Sequence, residues 1–145
     1  RVSRVWGGST LLAASFQPPH HLMFSEHGTF REALMLGTLG NRPVLVSLQS
    51  YNDNFACHVV NRDIFRNEVI EDLIRSQFVF WQTTVNTFEG RKYAHFYNVK
   101  QFPHISIIHP KLRSYIWVKE GWSESRPWDV EDIVNTMTDI RLEKY

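Results

Sequence analysis

Short apolar runs alternate with segments of helical periodicity from residue 28 onward, and this alternation restricts the possible folds more than any other feature. Four runs favour β-strands: residues 43–48, 78–82, 104–109 and 115–119. Residues that commonly cap helices precede the periodic segments: Thr29, Asn67, Asn86 or Thr87, and Asp129. We expect the second helix to begin at about Cys57 and to be bent or broken near residues 61–66. The predicted order is α-β-α-β-α-β-β-α.

Strands that alternate with helices are typical of a parallel sheet covered by helices on both faces, and the final hairpin adds an antiparallel edge. We therefore expect an α/β, thioredoxin-like fold with a central mixed β-sheet of about four strands. Right-handed crossovers would bring the loop of residues 49–56 beside the Phe102-Pro103 turn at one end of this sheet. Open α/β sheets usually carry their binding sites at that end.

The length of 145 residues suits one domain, which we assign to residues 20–145, with a partly flexible N-terminal arm over residues 1–19. Because the chain begins at Arg1, we expect it to be a segment of a longer protein. Its 16 Lys and Arg against 15 Asp and Glu give a net charge of +1, which argues against a nucleic-acid-binding protein. Its longest apolar runs, four residues, are far shorter than the ~20 residues of a membrane-spanning helix.

A series of short sequence words carries a resemblance to a known family, because their order and spacing agree in one register from residue 16 to about 140. The words are Phe16-Gln17-Pro18-Pro19, Leu22-Met23, Cys57, Asn61-Arg62-Asp63, Asn67-Glu68-Val69, Phe80-Trp81-Gln82, Glu89-Gly90, Phe96-Tyr97, Phe102-Pro103 and Ser106-Ile107. On these words the chain resembles the UAS domain of ubiquitin-regulatory-X (UBX) adaptor proteins. The likeness is closest to the type that also carries a ubiquitin-associated (UBA) domain.

The resemblance implies a thioredoxin-like module without redox chemistry and without a cofactor. The adaptors of this family link ubiquitinated clients to the valosin-containing AAA segregase in ubiquitin-dependent degradation, mostly through the domains that flank the UAS domain. A cytoplasmic and/or nuclear location is implied as well. Some UAS domains of the Fas-associated-factor type bind long-chain unsaturated fatty acids and assemble in response. A fatty-acid-responsive assembly module is therefore an alternative function.

Cys57 is the one cysteine of the chain, which excludes an intrachain disulfide and a dithiol redox cycle and favours a reducing compartment. We expect it at the start of a helix, where the helix dipole would lower the pKa of its thiol. In the register of the resemblance, Cys57 matches the resolving thiol of thioredoxins and Asn54 replaces the attacking thiol. We predict a packed structural cysteine; a monothiol redox or thiol-sensing protein is the alternative.

Pro103 matches the position where thioredoxin-like folds place a cis proline, so the resemblance implies a cis Phe102-Pro103 bond. A trans proline that begins an edge strand is the alternative. With a cis bond, backbone donors and acceptors would be exposed beside the 49–56 loop and could hold an extended peptide. We call this candidate binding surface the former active-site groove and define it by five residues: Tyr51, Asn54, Phe55, Cys57 and Pro103.

Positive charge is concentrated in the C-terminal half, and a possible anion patch there includes four residues: Arg91, Lys92, Lys111 and Arg113. We favour a solvated basic face, with a binding site for an anion or a fatty-acid carboxylate as the alternative. The seven histidines show no metal-ligand spacing, so we expect no metal site. The sequence also lacks a phosphate-binding loop and a nucleophile elbow, so we predict a protein-binding module that is not an enzyme.

Two further motifs have structural interpretations. We expect Asn61 to adopt unusual backbone angles at the helix break and Asp63 to cap the next turn. Three tryptophans flank the loop of residues 121–127, namely Trp117, Trp122 and Trp128. Core packing accounts for one or two of them, and an exposed third would mark a partner surface.

Overall fold

The structure is a computed structural model that describes residues 28–145. The predicted arm over residues 1–19 lies outside the described residues, as do the words that begin at Phe16 and Leu22. Within the described range, every helix is too short or too polar to cross a membrane.

Five helices and four strands follow in the predicted order, with the second predicted helix divided into two. The helices are α1 (Phe30–Gly40), α2 (Asn54–Val60), α3 (Glu68–Gln77), α4 (Phe88–Tyr97) and α5 (Val130–Asp139). The strands are β1 (Val44–Gln49), β2 (Val79–Thr84), β3 (His104–Ile108) and β4 (Tyr115–Glu120). A 3₁₀ turn (Tyr51–Asp53) precedes α2, a π-helical turn (Asn61–Phe65) follows it, and a second 3₁₀ turn (Leu142–Lys144) comes after α5.

The four strands form one mixed sheet in the order β2-β1-β3-β4. β1 pairs with β2 in parallel, and both β1 with β3 and β3 with β4 pair antiparallel. This topology confirms the predicted fold class, including the antiparallel edge. Leu48 near the end of β1 lies opposite His104 at the start of β3. The segments that follow β1 and precede β3 are therefore at the same end of the sheet, as predicted.

Two apolar cores cover the two faces of the sheet, because alternate residues of each strand point to opposite faces. Along β1, Leu45 belongs to one core and Val44 to the other. The first core packs β1 and β3 against α2, α3 and α5 through residues that include Val60, Phe65, Ile74, Ile133 and Met137. The second packs β1 and β2 against α1 and α4 through residues that include Ala33, Leu34, Trp81 and Tyr93.

The helix boundaries follow local capping chemistry at most positions. Thr29 and Glu32 form a capping box at the start of α1: the Thr29 hydroxyl accepts from the Glu32 N–H at 3.1 Å and Glu32 Oε1 accepts from the Thr29 N–H at 2.8 Å. The Asn67 side chain accepts from the N–H groups of Val69 and Ile70. Thr87 and Asp129 cap α4 and α5 in the same way. These N-caps confirm the predicted helix starts.

The interpretation of the Asn61-Arg62-Asp63 motif was wrong in detail. Asn61 has ordinary right-handed helical angles, and its buried side chain donates to Gln49 Oε1 at 3.3 Å and accepts from Gln49 Nε2 at 2.9 Å. Asp63 caps nothing and instead forms an exposed two-point ion pair with Arg62, at 2.7 and 3.0 Å. The α-helix does give way to a π-helical turn here. Asn61 contributes the hydrogen bonds of its buried side-chain amide, and its backbone angles are ordinary.

Candidate functional site

The residues of the former active-site groove lie at one end of the sheet. Asn54 is the first residue of α2 and is exposed, and Phe55 beside it is 61% exposed. The Phe55 ring makes an edge-to-face contact with the Trp122 ring, with centroids 5.9 Å apart. The neighbour of Trp122, Gly121, donates its N–H to the Pro103 carbonyl at 3.0 Å. These contacts connect α2 to the turn that precedes β3.

Cys57 is fully buried on the inner side of α2. Its Sγ donates a hydrogen bond to the Ser50 carbonyl over 3.7 Å. The pKa of the thiol is raised from 9.0 to about 12, mainly by burial and to a smaller extent by the negative charge of Asp53, while the hydrogen bond to Ser50 acts in the opposite direction. The expectation of a pKa lowered by the helix dipole was therefore wrong, because desolvation of the thiolate outweighs the dipole.

The start of α2 also differs from the prediction. The helix begins at Asn54, three residues before Cys57, because nothing in residues 54–56 opposes helix formation. Asn54 therefore stands at the helix N-terminus, where an attacking thiol would be most exposed and most acidic. An amide side chain at this position cannot act as a nucleophile toward a disulfide.

The Phe102-Pro103 bond is cis, as the resemblance implied, so the trans alternative was wrong. Pro103 is buried, and its carbonyl is already paired with Gly121 N–H. The expectation that this backbone would present free acceptors is therefore wrong for Pro103 itself. The groove presents Asn54 and Phe55 to solvent, and Tyr51, in the 3₁₀ turn before α2, is partly exposed.

Trp122 and Gly121 are part of this surface, and the sequence interpretation did not include them in the groove. Gly121 has φ of +79°, and a Cβ there would overlap the Gln101 side chain. The positive φ turns the chain after β4 and places Trp122 against Phe55. Of the three flanking tryptophans, Trp128 is buried and Trp117 and Trp122 are partly buried. The exposed third tryptophan considered as a partner marker is therefore not found.

A buried polar network lies on the other face of the sheet, behind α4. Tyr93 is in hydrogen-bond contact with His104 Nε2 at 2.9 Å and with Ser106 Oγ at 2.7 Å. His104 Nδ1 lies 2.7 Å from Glu120 Oε2. Burial lowers the pKa of His104, while the carboxylate of Glu120 acts in the opposite direction. The neutral ring that results donates from Nδ1 to Glu120 and accepts from Tyr93 at Nε2.

Beside this network, a cavity of about 380 Å³ opens between α1 and α4. We call it the aromatic pocket. Its apolar lining consists of Phe30, Leu34, Tyr93, Phe96 and Tyr97, and three cations also line it: Arg31, Lys92 and Arg113. Glu89 is the one acidic residue of the lining and pairs with Lys92 at 3.4 Å.

A second cavity, of about 450 Å³, continues along the outer side of α1. Its lining includes Met35, Leu39 and Lys111, and it shares Arg31, Leu34 and Arg113 with the aromatic pocket. We call the two cavities together the α1 groove. Three of the four residues of the possible anion patch line it: Lys92, Lys111 and Arg113.

Arg91, the fourth residue of that patch, lines neither cavity and donates to the Asn86 carbonyl at 3.0 Å. Arg31 lines both cavities, and the sequence interpretation did not include it. Its position in the first turn of α1, three residues before Leu34, was the available signal, because residues at this spacing share a helix face. Which elements pack beside that face was not evident from the sequence.

The family of the chain follows from comparison with known proteins. The family model described as "Thioredoxin-like" matches residues 27–110, more than half of the chain. The chain therefore belongs to the thioredoxin-like family. Its relatives narrow the assignment to the UAS-type thioredoxin-like region of UBX proteins, which confirms the resemblance found in the sequence.

Three such relatives show the extent of the match. Plant UBX domain-containing protein 7 of Arabidopsis thaliana is 36% identical over 68% of this chain and 20% of its own length. UBX domain-containing protein 2 of Schizosaccharomyces pombe is 34% identical over 79% of this chain and 25% of its length. The UBX domain-containing protein 7 homolog of Dictyostelium discoideum is 35% identical over 69% of this chain and 19% of its own length. The chain thus spans about a fifth to a quarter of these relatives.

Solved structures agree on the fold. A thioredoxin from Thermus thermophilus superposes with a TM-score of 0.63 at 24% identity, over 76% of this chain and 82% of that one. The DsbH oxidoreductase superposes with a TM-score of 0.60 at 13% identity, over 95% of this chain and 99% of that one. At these identities the likeness is one of fold alone.

Proposed function

We propose that this domain is a non-enzymatic protein-interaction module of a UBX-type adaptor. In this proposal the protein that contains it links ubiquitinated clients to the valosin-containing AAA segregase, in the cytoplasm or nucleus. The relatives support the adaptor role, since they are UBX domain-containing proteins.

The burial of the Cys57 thiol, which raises its pKa, is the single observation that supports a domain without enzymatic activity. Disulfide exchange begins with attack by a thiolate, but this thiol is buried and its pKa is raised to about 12. A thiol of that pKa is almost fully protonated at neutral pH. The exposed position that an attacking thiol would occupy holds Asn54, which has no nucleophilic sulfur.

An insulin-reduction assay with dithiothreitol tests this part. We expect the chain to give the same rate as a Cys57→Ala variant and as dithiothreitol alone. A rate well above that of the variant would contradict the proposal and favour the monothiol alternative.

Co-purification tests the adaptor part. The longer protein that contains this chain is isolated from cells and probed for the segregase and for ubiquitin conjugates. We expect both to be recovered, and recovery of neither would contradict the proposal. Deleting residues 28–145 from that protein then shows how much of the recovery depends on this domain and how much on other parts of the protein.

The fatty-acid-responsive alternative stays a prediction. The aromatic pocket favours it as a second candidate, because an apolar cavity with cations at its rim offers contacts to an acyl chain and to a carboxylate. This alternative predicts that oleate raises the apparent mass of the chain in size-exclusion chromatography. An unchanged mass in excess oleate would contradict it.

A further inference from the structure

The α1 groove combines an apolar surface with positive charge. Met35 and Leu39, which line its outer part, are 55% and 83% exposed, and Phe96 at the aromatic pocket is 71% exposed. Large apolar side chains exposed side by side along one groove are typical of a surface that a partner covers.

The aromatic pocket suits a ring-bearing side chain. Its walls already hold ring pairs at favourable separations, with centroids 5.1 Å apart for Phe30 and Tyr93 and 4.8 Å apart for Phe96 and Tyr97. Small-molecule pockets typically measure ~300–1,000 Å³, and this one, at about 380 Å³, is at the lower end of that range. The volume fits the anchoring side chain of a peptide.

The charges of the α1 groove are largely uncompensated. Its lining contains four cations, Arg31, Lys92, Lys111 and Arg113, against the single carboxylate of Glu89. Glu89 is engaged by Lys92 and also accepts from the Phe30 N–H at 3.3 Å. Across residues 28–145, no carboxylate lies within ion-pair distance of Arg31, Lys111 or Arg113. A ligand that supplied negative charge would be complementary to this lining.

The turn between β3 and β4 holds Arg113 at the groove in a strained conformation. Arg113 has φ of +61°, a region that favours glycine or asparagine. Hydrogen bonds fix it there: its N–H donates to the His109 carbonyl at 2.8 Å, and its carbonyl accepts from the Tyr97 hydroxyl at 2.7 Å. An arginine where asparagine would be less strained indicates that its side chain has a role.

We infer that the α1 groove binds an acidic linear peptide of a partner protein. An aromatic side chain of the peptide enters the aromatic pocket, and its carboxylates pair with Arg31, Lys111 and Arg113. This inference rests on the proposed function as an interaction module and places the contact away from the former active-site groove. The charge of the lining selects the occupant: residues 1–27 of this chain carry two arginines and one glutamate, so that segment lacks the complementary charge.

A peptide titration followed by nuclear magnetic resonance tests the inference. The probe is a synthetic peptide with one tryptophan flanked by glutamates, added to the isotope-labelled chain. We expect the amide signals of residues 30–34, 89–97 and 111–113 to shift. Two matched peptides separate the contributions, one with alanine for tryptophan and one with glutamine for every glutamate. Each should bind about tenfold more weakly.

Two variants with the same change of net charge separate the groove from general basicity. Arg113→Asn removes a groove cation and introduces a residue that tolerates the positive φ, so the fold is retained. Arg91→Gln removes a cation that lines neither cavity. We expect Arg113→Asn to weaken peptide binding about tenfold and Arg91→Gln to change it less than twofold. Equal effects of the two variants would overturn the inference.

The other outcomes are distinguishable from failure of the proposed function. Shifts confined to Tyr51–Asp53, Phe55 and Trp122 would overturn the α1 groove as the binding surface but keep the interaction module. No shifts at millimolar peptide would overturn the inference too, while co-purification of the longer protein would still test the adaptor role. Oleate that shifts the groove amides where the peptide does not would assign the pocket to a lipid. Shifts that depend on protein concentration alone would assign it to a second copy.

Discussion

The former active-site groove and the α1 groove differ in what each presents to a ligand. The first presents Asn54 and Phe55, and its sulfur is buried with a pKa raised to about 12. The second presents aromatic rings and four cations, of which Lys92 alone pairs with a carboxylate among the described residues. A retained fold therefore does not imply a retained site, because surface side chains can change while the core stays the same.

The largest expected effect comes from restoring a second thiol at the former active-site groove. Asn54→Cys places a thiol at the exposed start of α2, three residues before Cys57. We expect the variant to form an intrachain disulfide and to reduce insulin, an activity that we expect the original chain to lack. Insulin turbidity and free-thiol counts measure both effects.

A control keeps this test specific. Asn52→Cys adds an equally exposed thiol in the preceding 3₁₀ turn, where the spacing to Cys57 differs. We expect no insulin reduction from it. If both variants behaved alike, or if Asn54→Cys formed no disulfide, the position of Cys57 as a former resolving thiol would be contradicted.

The floor of the aromatic pocket should be more sensitive to a lost hydroxyl than its rim. Tyr93→Phe leaves buried His104 and Ser106 without their shared partner, so we expect the free energy of unfolding to fall by about 1–3 kcal/mol. Tyr97→Phe loses only the hydrogen bond to the Arg113 carbonyl at the exposed turn, with an expected loss of about 0.5 kcal/mol. Urea unfolding of both variants measures the difference. Equal losses would show that the buried network is not what supports this pocket.

The same network predicts a pH dependence of stability. Burial lowers the pKa of His104 below its ordinary 6.5, with Tyr93, Tyr115 and Glu120 facing the ring. Below pH 6.5 the unfolded chain binds a proton that the folded chain does not yet bind. The stability that the neutral, buried His104 contributes is therefore complete above that pH. It is lost as the pH falls toward the lowered pKa of the folded state.

Thermal unfolding between about pH 7 and about pH 5 measures this dependence. We expect His104→Gln to flatten it, whereas His95→Gln, a change at an exposed histidine of α4, should leave it unchanged. If the melting temperature of His104→Gln fell with decreasing pH as steeply as that of the original chain, groups other than His104 would cause the dependence.

A small gain of stability is expected at the turn between β3 and β4. Arg113→Asn relieves the cost of a long side chain at positive φ, so we expect the free energy of unfolding to rise by about 0.5–1 kcal/mol. Arg91→Gln should change it by less than about 0.5 kcal/mol. If Arg113→Asn destabilised the chain, Arg113 would be a structural residue, and the contrast between the two grooves would be weaker.

Local chemistry explains which features could be predicted. The Thr29 and Asn67 N-caps depend on residues within four positions, so the sequence was sufficient to place them. The cis Pro103 followed from the family resemblance. The element order followed from the alternation of short apolar runs with segments of helical periodicity.

The features that were missed depend on packing between distant segments. The packed position of Cys57 was predicted and is confirmed, but the direction of its pKa was missed, because desolvation depends on how α2 lies on the sheet. The α1 groove exists because α1, α4 and the β3–β4 turn meet, so no single stretch of sequence contains it. Arg31 could be assigned to the groove only from the packing of these three elements.

The reactivity of Cys57 in the folded chain most directly tests whether this thioredoxin-like domain lacks a reactive thiolate. The rate of alkylation by iodoacetamide, followed against pH, reports the thiolate fraction. The account predicts a slow reaction at neutral pH and an apparent pKa raised to about 12, with an ordinary value near 9.0 recovered when the chain is unfolded. Rapid alkylation of the folded chain at neutral pH, with an apparent pKa below 9.0, would contradict it.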